Sequence, residues 1–490
     1  MSTMTSPYLQ GAFAPVDDEL DADGLEVIGT LPEALDGTYV RNGPNPAFAP
    51  IGRYHVFDGD GMLHAVTLRG GRASYRNRWV RSAGLEAEWE AGHALFGGLS
   101  EFQLPPQDVI DRVGMMKNTA NTSVVEHGGR LLALMEAARP IRMDGRLGTL
   151  GEFDFDGRLS GSMTAHPKVD PVTGEMVFFG YSPFPPYLRL HVVDAAGVLV
   201  RSVDVDLLGP VMMHDFAVSA TKIVIFDLPA VFDVNAMLTG GAGIRWEPDR
   251  GARIGVIDRD ELAGLPEGAT SAADITRWID VEPFYVFHFL NAHDAAPFGK
   301  GAGDAGDQVV VEGCRASRLP IAFGDEVLAE TVHPTLHRWT IDPDAGTVTD
   351  EPLDDRPGDF PRVDDRFAGL RARYGYVAAT GRWGDEAIAF DSVIKHDLWN
   401  GTSEVFDYGA GSFAGEAVFA PDPTRATGSD GATGEHDAGW LLNLVSSPDG
   451  STELVIVDAQ ALEEVARVRM PRRVPFGFHG NWVESSRWPA

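Results

Sequence analysis

Apolar and polar positions alternate along this chain in bursts of six or seven residues, broken by Gly, Asp and Pro. Segments 130–136, 175–181, 222–227, 253–258, 336–342 and 453–458 all have this form. Alternation, or a continuous apolar run, of that length predicts β-strands. The breaks have hairpin chemistry. His127-Gly128-Gly129 and Ala195-Ala196-Gly197 contain glycines able to supply positive φ, and Asp170-Pro-Val-Thr-Gly174 and Asp342-Pro-Asp-Ala-Gly346 are near copies of one turn. Strand–turn–strand phrases with no helix–strand alternation favour an all-β fold, a β-propeller. At roughly 40–50 residues per blade, seven blades would use most of the chain. The organisation expected is one propeller domain over residues 1–490, with a partly irregular N-terminal extension over 1–30 and cap insertions. Helices are expected at 107–113 and 231–238, forming a small apolar cap over the mouth. The polar, Gly-rich stretch 422–435 is expected to be a surface loop.

Composition narrows the function classes. Of 490 residues, 40 are Lys or Arg and 72 are Asp or Glu, a formal net charge of −32. Nucleic acid and anionic lipid headgroups repel such a polyanion, so neither is an expected electrostatic partner. The single cysteine, Cys314, excludes an internal disulfide and any multi-thiolate metal site. It reads as an inert residue near a strand end. The N-terminus lacks the basic start and apolar core of a secretory signal, and no apolar run of about 18 residues suggests a membrane span. The localisation expected is cytoplasmic, with any membrane contact peripheral and made through the apolar cap.

Four histidines stand out by their neighbours: His166 in Thr-Ala-His-Pro-Lys, His214 in Met-Met-His-Asp-Phe, His288 in Val-Phe-His-Phe-Leu and His479 in Gly-Phe-His-Gly. They are far apart in the chain and share no short zinc-type spacing. A propeller gives them a way to meet, because its innermost strands converge on the axis. Imidazole suits Fe, Cu, Zn and Ni. Four neutral ligands leave a divalent charge uncompensated, so carboxylates are expected behind them, with Glu136, Asp359 and Glu416 as candidates. His293, close to His288, fits a supporting or surface role better than a fifth ligand. Asp58-Gly-Asp-Gly61 lacks the later ligands of a calcium loop and reads as a tight hairpin turn. Asp215 beside His214 has no Gly-x-Ser-x-Gly elbow with it, which disfavours hydrolase chemistry.

Taken together, the motifs resemble those of the carotenoid cleavage oxygenases. They run from Leu35-Asp-Gly-Thr-Tyr-Val-Arg-Asn-Gly-Pro-Asn-Pro46 and Phe57-Asp-Gly-Asp-Gly-Met-Leu-His64 through Asn118-Thr-Ala-Asn-Thr122, the histidine segments, Phe360-Pro-Arg362 and Arg373-Tyr-Gly-Tyr376 to Phe478-His-Gly480. The resemblance covers nearly the whole chain. It implies a seven-bladed propeller and one Fe(2+) per chain on His166, His214, His288 and His479, with Glu136, Asp359 and Glu416 behind them. The implied reaction cleaves a conjugated carbon–carbon double bond with O2, leaving two aldehydes, or an aldehyde and a ketone. Asp359 stands where the family usually has Glu, and the shorter side chain is expected to need a bridging water to reach its histidine. Thr122 matches a threonine that crowds the metal.

The family acts on carotenoid or apocarotenoid polyenes, or on phenolic stilbenes and phenylpropenes. Members with phenolic substrates tend to carry a lysine just before the first carboxylate, where this chain has Met135. A thioether does not stabilise a phenolate but packs well on an apolar chain, which favours a polyene. Tyr75-Arg-Asn-Arg-Trp-Val80 resembles the phenolic-type bacterial members and keeps stilbene cleavage as the alternative. Polyene isomerisation and a non-catalytic scaffold are more distant readings. Phe102, Thr122, Met135, Phe289 and Phe478 are the candidate pocket residues.

Overall fold

The computed structural model describes residues 6–239, 241, 243–295, 307–321, 332–379, 390–425 and 435–489. Seven antiparallel sheets of four or five strands follow one another as the blades of a β-propeller. Their innermost strands are Gly480–Glu484 in blade 1, Ser123–His127 in blade 2, Lys168–Val169 in blade 3 and Ala217–Val218 in blade 4. Tyr285–Asp294, Gly358–Arg362 and Val418–Pro421 are those of blades 5, 6 and 7. Blade 1 is composite. Its inner strand comes from the end of the chain and pairs with Gly37–Pro44, Arg41 lying opposite Gly480. Two short strands from the expected N-terminal extension add outer edges: Leu20–Asp23 to blade 1 and Val27–Gly29 to blade 7.

The strands form where alternation predicts them. Lys222–Asp227 has the predicted bounds, and Ala252–Asp258, Thr335–Asp342 and Thr452–Asp458 start one residue early. The first predicted strand is shorter than expected: it ends at Leu134, so Met135 and Glu136 lie beyond it. In the turn at 128–129 both glycines have positive φ, 56° and 72°, as a two-residue hairpin requires. The two Asp-Pro-x-x-Gly turns do form hairpins, at different depths. The first joins the two inner strands of blade 3 and the second the two outer strands of blade 5. The copy therefore marks a turn type and not a blade period.

Helix Gln107–Val113 forms as expected. The segment 231–238 divides: Ala230–Phe232 pairs with Ile244–Trp246 as a small hairpin, and only Val234–Leu238 is helical. Val231 and Phe232 suit a strand, and Asp233 begins the helix by accepting the Ala236 N–H at 2.8 Å. Helices Ala83–Ala91 and Arg259–Gly264 were not anticipated. The 58–61 segment is not a hairpin turn. Val56–Asp58 is a 3-10 turn leading into strand Gly61–Arg69, and the Asp58 carboxylate accepts the His55 and Leu99 N–H groups. Of the 422–435 stretch, residues 426–434 lie outside the described residues.

Apolar clusters between neighbouring blades hold the ring. The largest joins blades 4 and 5, where Phe226 meets Phe289 at 4.3 Å between ring centroids and both reach the buried Trp339. Truncating such a ring to Ala costs about 3–5 kcal/mol. Cys314 packs against Leu290 and Leu336, and burial pushes its thiol well above the ordinary range, as suits an inert residue.

Candidate metal centre

Each blade sends one side chain toward the axis from the beginning of its inner strand. His166 precedes that of blade 3 by two residues, His214 that of blade 4 by three, and His479 lies directly before that of blade 1. His288 and Asp359 sit within those of blades 5 and 6, Glu416 lies two before that of blade 7, and Thr122 is just before that of blade 2. The four histidines occupy blades 1, 3, 4 and 5, and the acids fill the gap between His288 and His479.

One nitrogen from each histidine lies within 4.8 Å of the others, a cluster able to hold a metal ion. His166 Nε2 is 3.0 Å from His214 Nε2, which is 3.2 Å from His288 Nε2. Burial, reinforced by the neighbouring imidazoles, pushes His166 and His214 well below the ordinary histidine range. They are therefore neutral, the form in which imidazole binds metal. Neutral rings whose lone pairs converge at this range repel one another unless a cation lies among them, so the donor set fits a divalent ion.

The carboxylates differ in how they meet these rings. Glu416 Oε1 faces His479 Nδ1 at 3.0 Å, and Oε2 accepts the Gly480 N–H at 2.9 Å. Arg362 Nη1 lies 3.5 Å from Oε1. Burial alone would raise this carboxyl, but Arg362, His479 and the Gly480 N–H outweigh it and hold it at about 2. Asp359 Oδ1 meets His288 Nδ1 at 2.8 Å, so the bridging water expected for this shorter acid is not needed. The strand supplies the missing reach. Its register is irregular between Asp359 and Arg362, and Phe360 has φ +51°. Glu136 lies 3.4 Å from His214 Nδ1 and 3.6 Å from His166 Nε2, yet neither carboxylate oxygen has a hydrogen-bond partner among the described residues. Burial, then the charge of Asp215, raises this carboxyl well above its ordinary range. A buried, unpartnered carboxylate beside four converging nitrogens is a second sign that a cation belongs here.

Several neighbours were not anticipated. Phe287 stands edge-on to His214 at 5.0 Å, and Phe360 packs on both His288 and His479 at 4.9 Å. Lys168 Nζ meets Asp215 Oδ1 at 2.6 Å, while Asp215 Oδ2 accepts the Phe289 N–H, tying blades 3, 4 and 5 together behind the histidines. Arg362 and Lys168 both lie in quoted motifs, but position in a motif gives no sign of the partner. His293 turns to Glu312, 3.9 Å away, and does not join the cluster. Of the candidate pocket residues, Phe289 points into the core between blades, and Phe478 packs with Phe360 and against Phe57. Thr122 donates to Asn121 Oδ1, and its carbonyl accepts the His479 N–H at 3.1 Å. Phe102 and Met135 line one cavity together, of about 90 Å³. A larger cavity of about 810 Å³ runs from His166, His288 and His479 among the inner strands.

This chain has close likenesses among known proteins. A family model described as retinal pigment epithelial membrane protein matches residues 13–484. A carotenoid cleavage oxygenase of Mycobacterium tuberculosis is 35% identical over 98% of this chain and 98% of its own. A carotenoid 9,10(9',10')-cleavage dioxygenase 1 of Arabidopsis thaliana is 34% identical over 97% of this chain and 89% of its own. Among solved structures, the Pseudomonas brassicacearum lignostilbene dioxygenase is 29% identical, with a TM-score of 0.84 over 98% of this chain and 99% of that one. The Synechocystis apocarotenoid oxygenase is also 29% identical, with a TM-score of 0.80 over 96% and 97%. The propeller is shared with dioxygenases of known structure, and the chain belongs to the carotenoid cleavage oxygenase family, whose members are dioxygenases.

Proposed function

We propose that this protein uses one Fe(2+) and O2 to cleave a conjugated double bond of a carotenoid or apocarotenoid. The observation that carries the metal reading is the convergence of four imidazole nitrogens within 4.8 Å on the axis. His166, His214, His288 and His479 would hold the ion. Bound there, ferrous iron supplies the activation of dioxygen that puts one oxygen atom on each alkene carbon. A cobalt-substituted form of the Synechocystis enzyme is among the similar solved structures, which supports a metal at this place.

The chain's own residues do the rest. Glu416 and Asp359 fix the protonated nitrogens of His479 and His288 at Nδ1 and so direct Nε2 inward. Glu136 supplies negative charge beside His214 and His166. Phe287, edge-on to His214, and Phe360, tilted over His288 and His479, wall the centre and keep water from it. The polyene assignment rests on Met135, an apolar side chain on the flank of Glu136 in a cavity it shares with Phe102 and Phe57. Stilbene cleavage is the second reading, favoured by the likeness to the lignostilbene enzyme.

Substrate delivery is part of the same reading. Leu104, Met115 and Met116, flanking helix Gln107–Val113, are 53%, 55% and 44% exposed, and would let the cap touch a membrane that stores an apolar substrate. No described helix is long and apolar enough to cross one. The deciding experiment is anaerobic loading with Fe(II), then aerobic incubation with apocarotenoids and hydroxystilbenes, with products read by mass spectrometry. Aldehydes from polyenes are expected; aldehydes from stilbenes alone would replace the substrate class.

A further inference from the structure

The cavity beside Met135 is not uniformly apolar. Phe57, Phe102 and Met135 form its greasy walls, but Lys117 and Thr119 also line it. Lys117 Nζ is paired with Asp60 Oδ1 at 2.7 Å and Glu88 Oε2 at 2.8 Å. Glu88 accepts one of its three N–H groups and Asp60 lies at ion-pair distance, and among the described residues no third acceptor meets it. Thr119 is 8% exposed, and its buried hydroxyl has no hydrogen-bond partner. An unmade hydrogen bond of this kind costs about 1–3 kcal/mol, so two unused donors on one small cavity need a reason. Glu88 Oε1 accepts the Leu95 N–H and Asp60 Oδ2 accepts the Ala47 N–H, while Asp60 Oδ1 is held only by its ion pair with Lys117.

We propose that this cavity holds the oxygenated end of the substrate, a neutral hydroxyl or carbonyl that accepts from Lys117 Nζ and pairs with the Thr119 hydroxyl. The inference rests on the polyene reading above and narrows it to polyenes with an oxygen function on the end group. Charge selects the form of that oxygen. Lys117 and Arg53 face Asp58, Asp60 and Glu88 in the lining, a net negative set that repels a carboxylate or phenolate end and accepts a neutral one. A lysine does therefore line the cavity, supplied by position 117 and not 135, with its charge already neutralised. The volume, far below the ~300–1,000 Å³ of complete small-molecule sites, admits the oxygen-bearing edge of an end group and not a whole substrate. Its position also fits: Met135 adjoins Glu136, which faces His214, and Phe57 packs on Phe478, next to His479. An end group fixed here sets which double bond lies over the metal.

The test uses matched apocarotenoids that differ only at the ring: unsubstituted, hydroxylated or carboxylated. Binding is titrated by quenching of tryptophan fluorescence in metal-free protein, and kcat/KM is measured after iron loading. The wild type should bind the hydroxylated compound about tenfold more tightly than the unsubstituted one, the scale of one hydrogen bond to a charged donor, and the carboxylated one least. Thr119→Val should bring the hydroxyl preference down several-fold while leaving the melting temperature unchanged or higher, because the lost hydroxyl had no partner. Lys117→Met tests the other donor with the same ratio. Equal binding of hydroxylated and unsubstituted compounds, or a preference that survives both substitutions, overturns the proposal. Discrimination in binding without cleavage of any polyene upholds this subsite and removes the cleavage reading, so the two failures are distinct.

Discussion

Glu416 and Glu136 stand behind the same four histidines in opposite conditions. Glu416 is fully partnered by His479, the Gly480 N–H and Arg362, and its carboxyl is held at about 2. Glu136 has no hydrogen-bond partner among the described residues and is pushed well upward. The side of the centre made by blades 1, 5, 6 and 7 is thus organised by the protein alone. The side made by blades 2, 3 and 4 gains its compensation only when a cation arrives. A binding site built this way has a rigid half that sets ligand geometry and a half whose stability is linked to the metal.

The most damaging change on either side should be loss of a ligand. His214→Ala should reduce bound iron to near zero and activity by more than about 100-fold, beyond the ~10–100-fold typical of a supporting carboxylate. Full iron occupancy in that variant would end the four-histidine assignment. Next come the two acids, where the halves should part. Glu416→Gln should weaken metal binding by ~10–100-fold and lower metal-free stability by about 1–3 kcal/mol, because Arg362, left with Asp365 alone, loses its inner counter-charge. Glu136→Gln should weaken metal binding on a similar scale but leave metal-free stability unchanged or raised, because an uncompensated carboxylate has been neutralised. Melting with and without Fe(II) reads both, and equal drops in the metal-free state would erase the contrast. Smallest should be Asp359→Glu. The irregular strand already brings this acid to His288, so an added methylene should cost about 1–3 kcal/mol through overpacking and lower activity modestly. A gain in activity would mean the short acid is a compromise.

Much of this was legible in the chain. Short alternating or apolar runs marked the central strands, some of them buried on both faces, and Gly128 and Gly129 announced their hairpin. The histidines were legible through their neighbours, and the topology that lets them meet followed from the strand count. What stayed hidden depends on distant pairing. Leu20–Asp23 and Val27–Gly29 are only four and three residues long and partly exposed, and become strands because finished blades offer them an edge. Helix Ala83–Ala91 had a signal that went unread, with Ser82 accepting the Leu85 N–H at its start and Gly92 left-handed at its end. The reach of Asp359 depends on the backbone irregularity beside it, which side-chain length does not reveal. Lys117 looked like any surface lysine; its role depends on Asp60 and Glu88, which only the fold brings to it.

The ring is closed by strand Gly480–Glu484 docking against Gly37–Pro44, and His479 stands directly before that strand. During synthesis the first three histidines emerge long before the fourth. Until the last strand has left the ribosome and zipped onto the first blade, the emerging chain can offer an ion only three of these imidazoles, around an unsealed axis. Completion of the metal centre is thereby tied to the final act of folding, and a chain cut short before this strand also lacks its fourth imidazole.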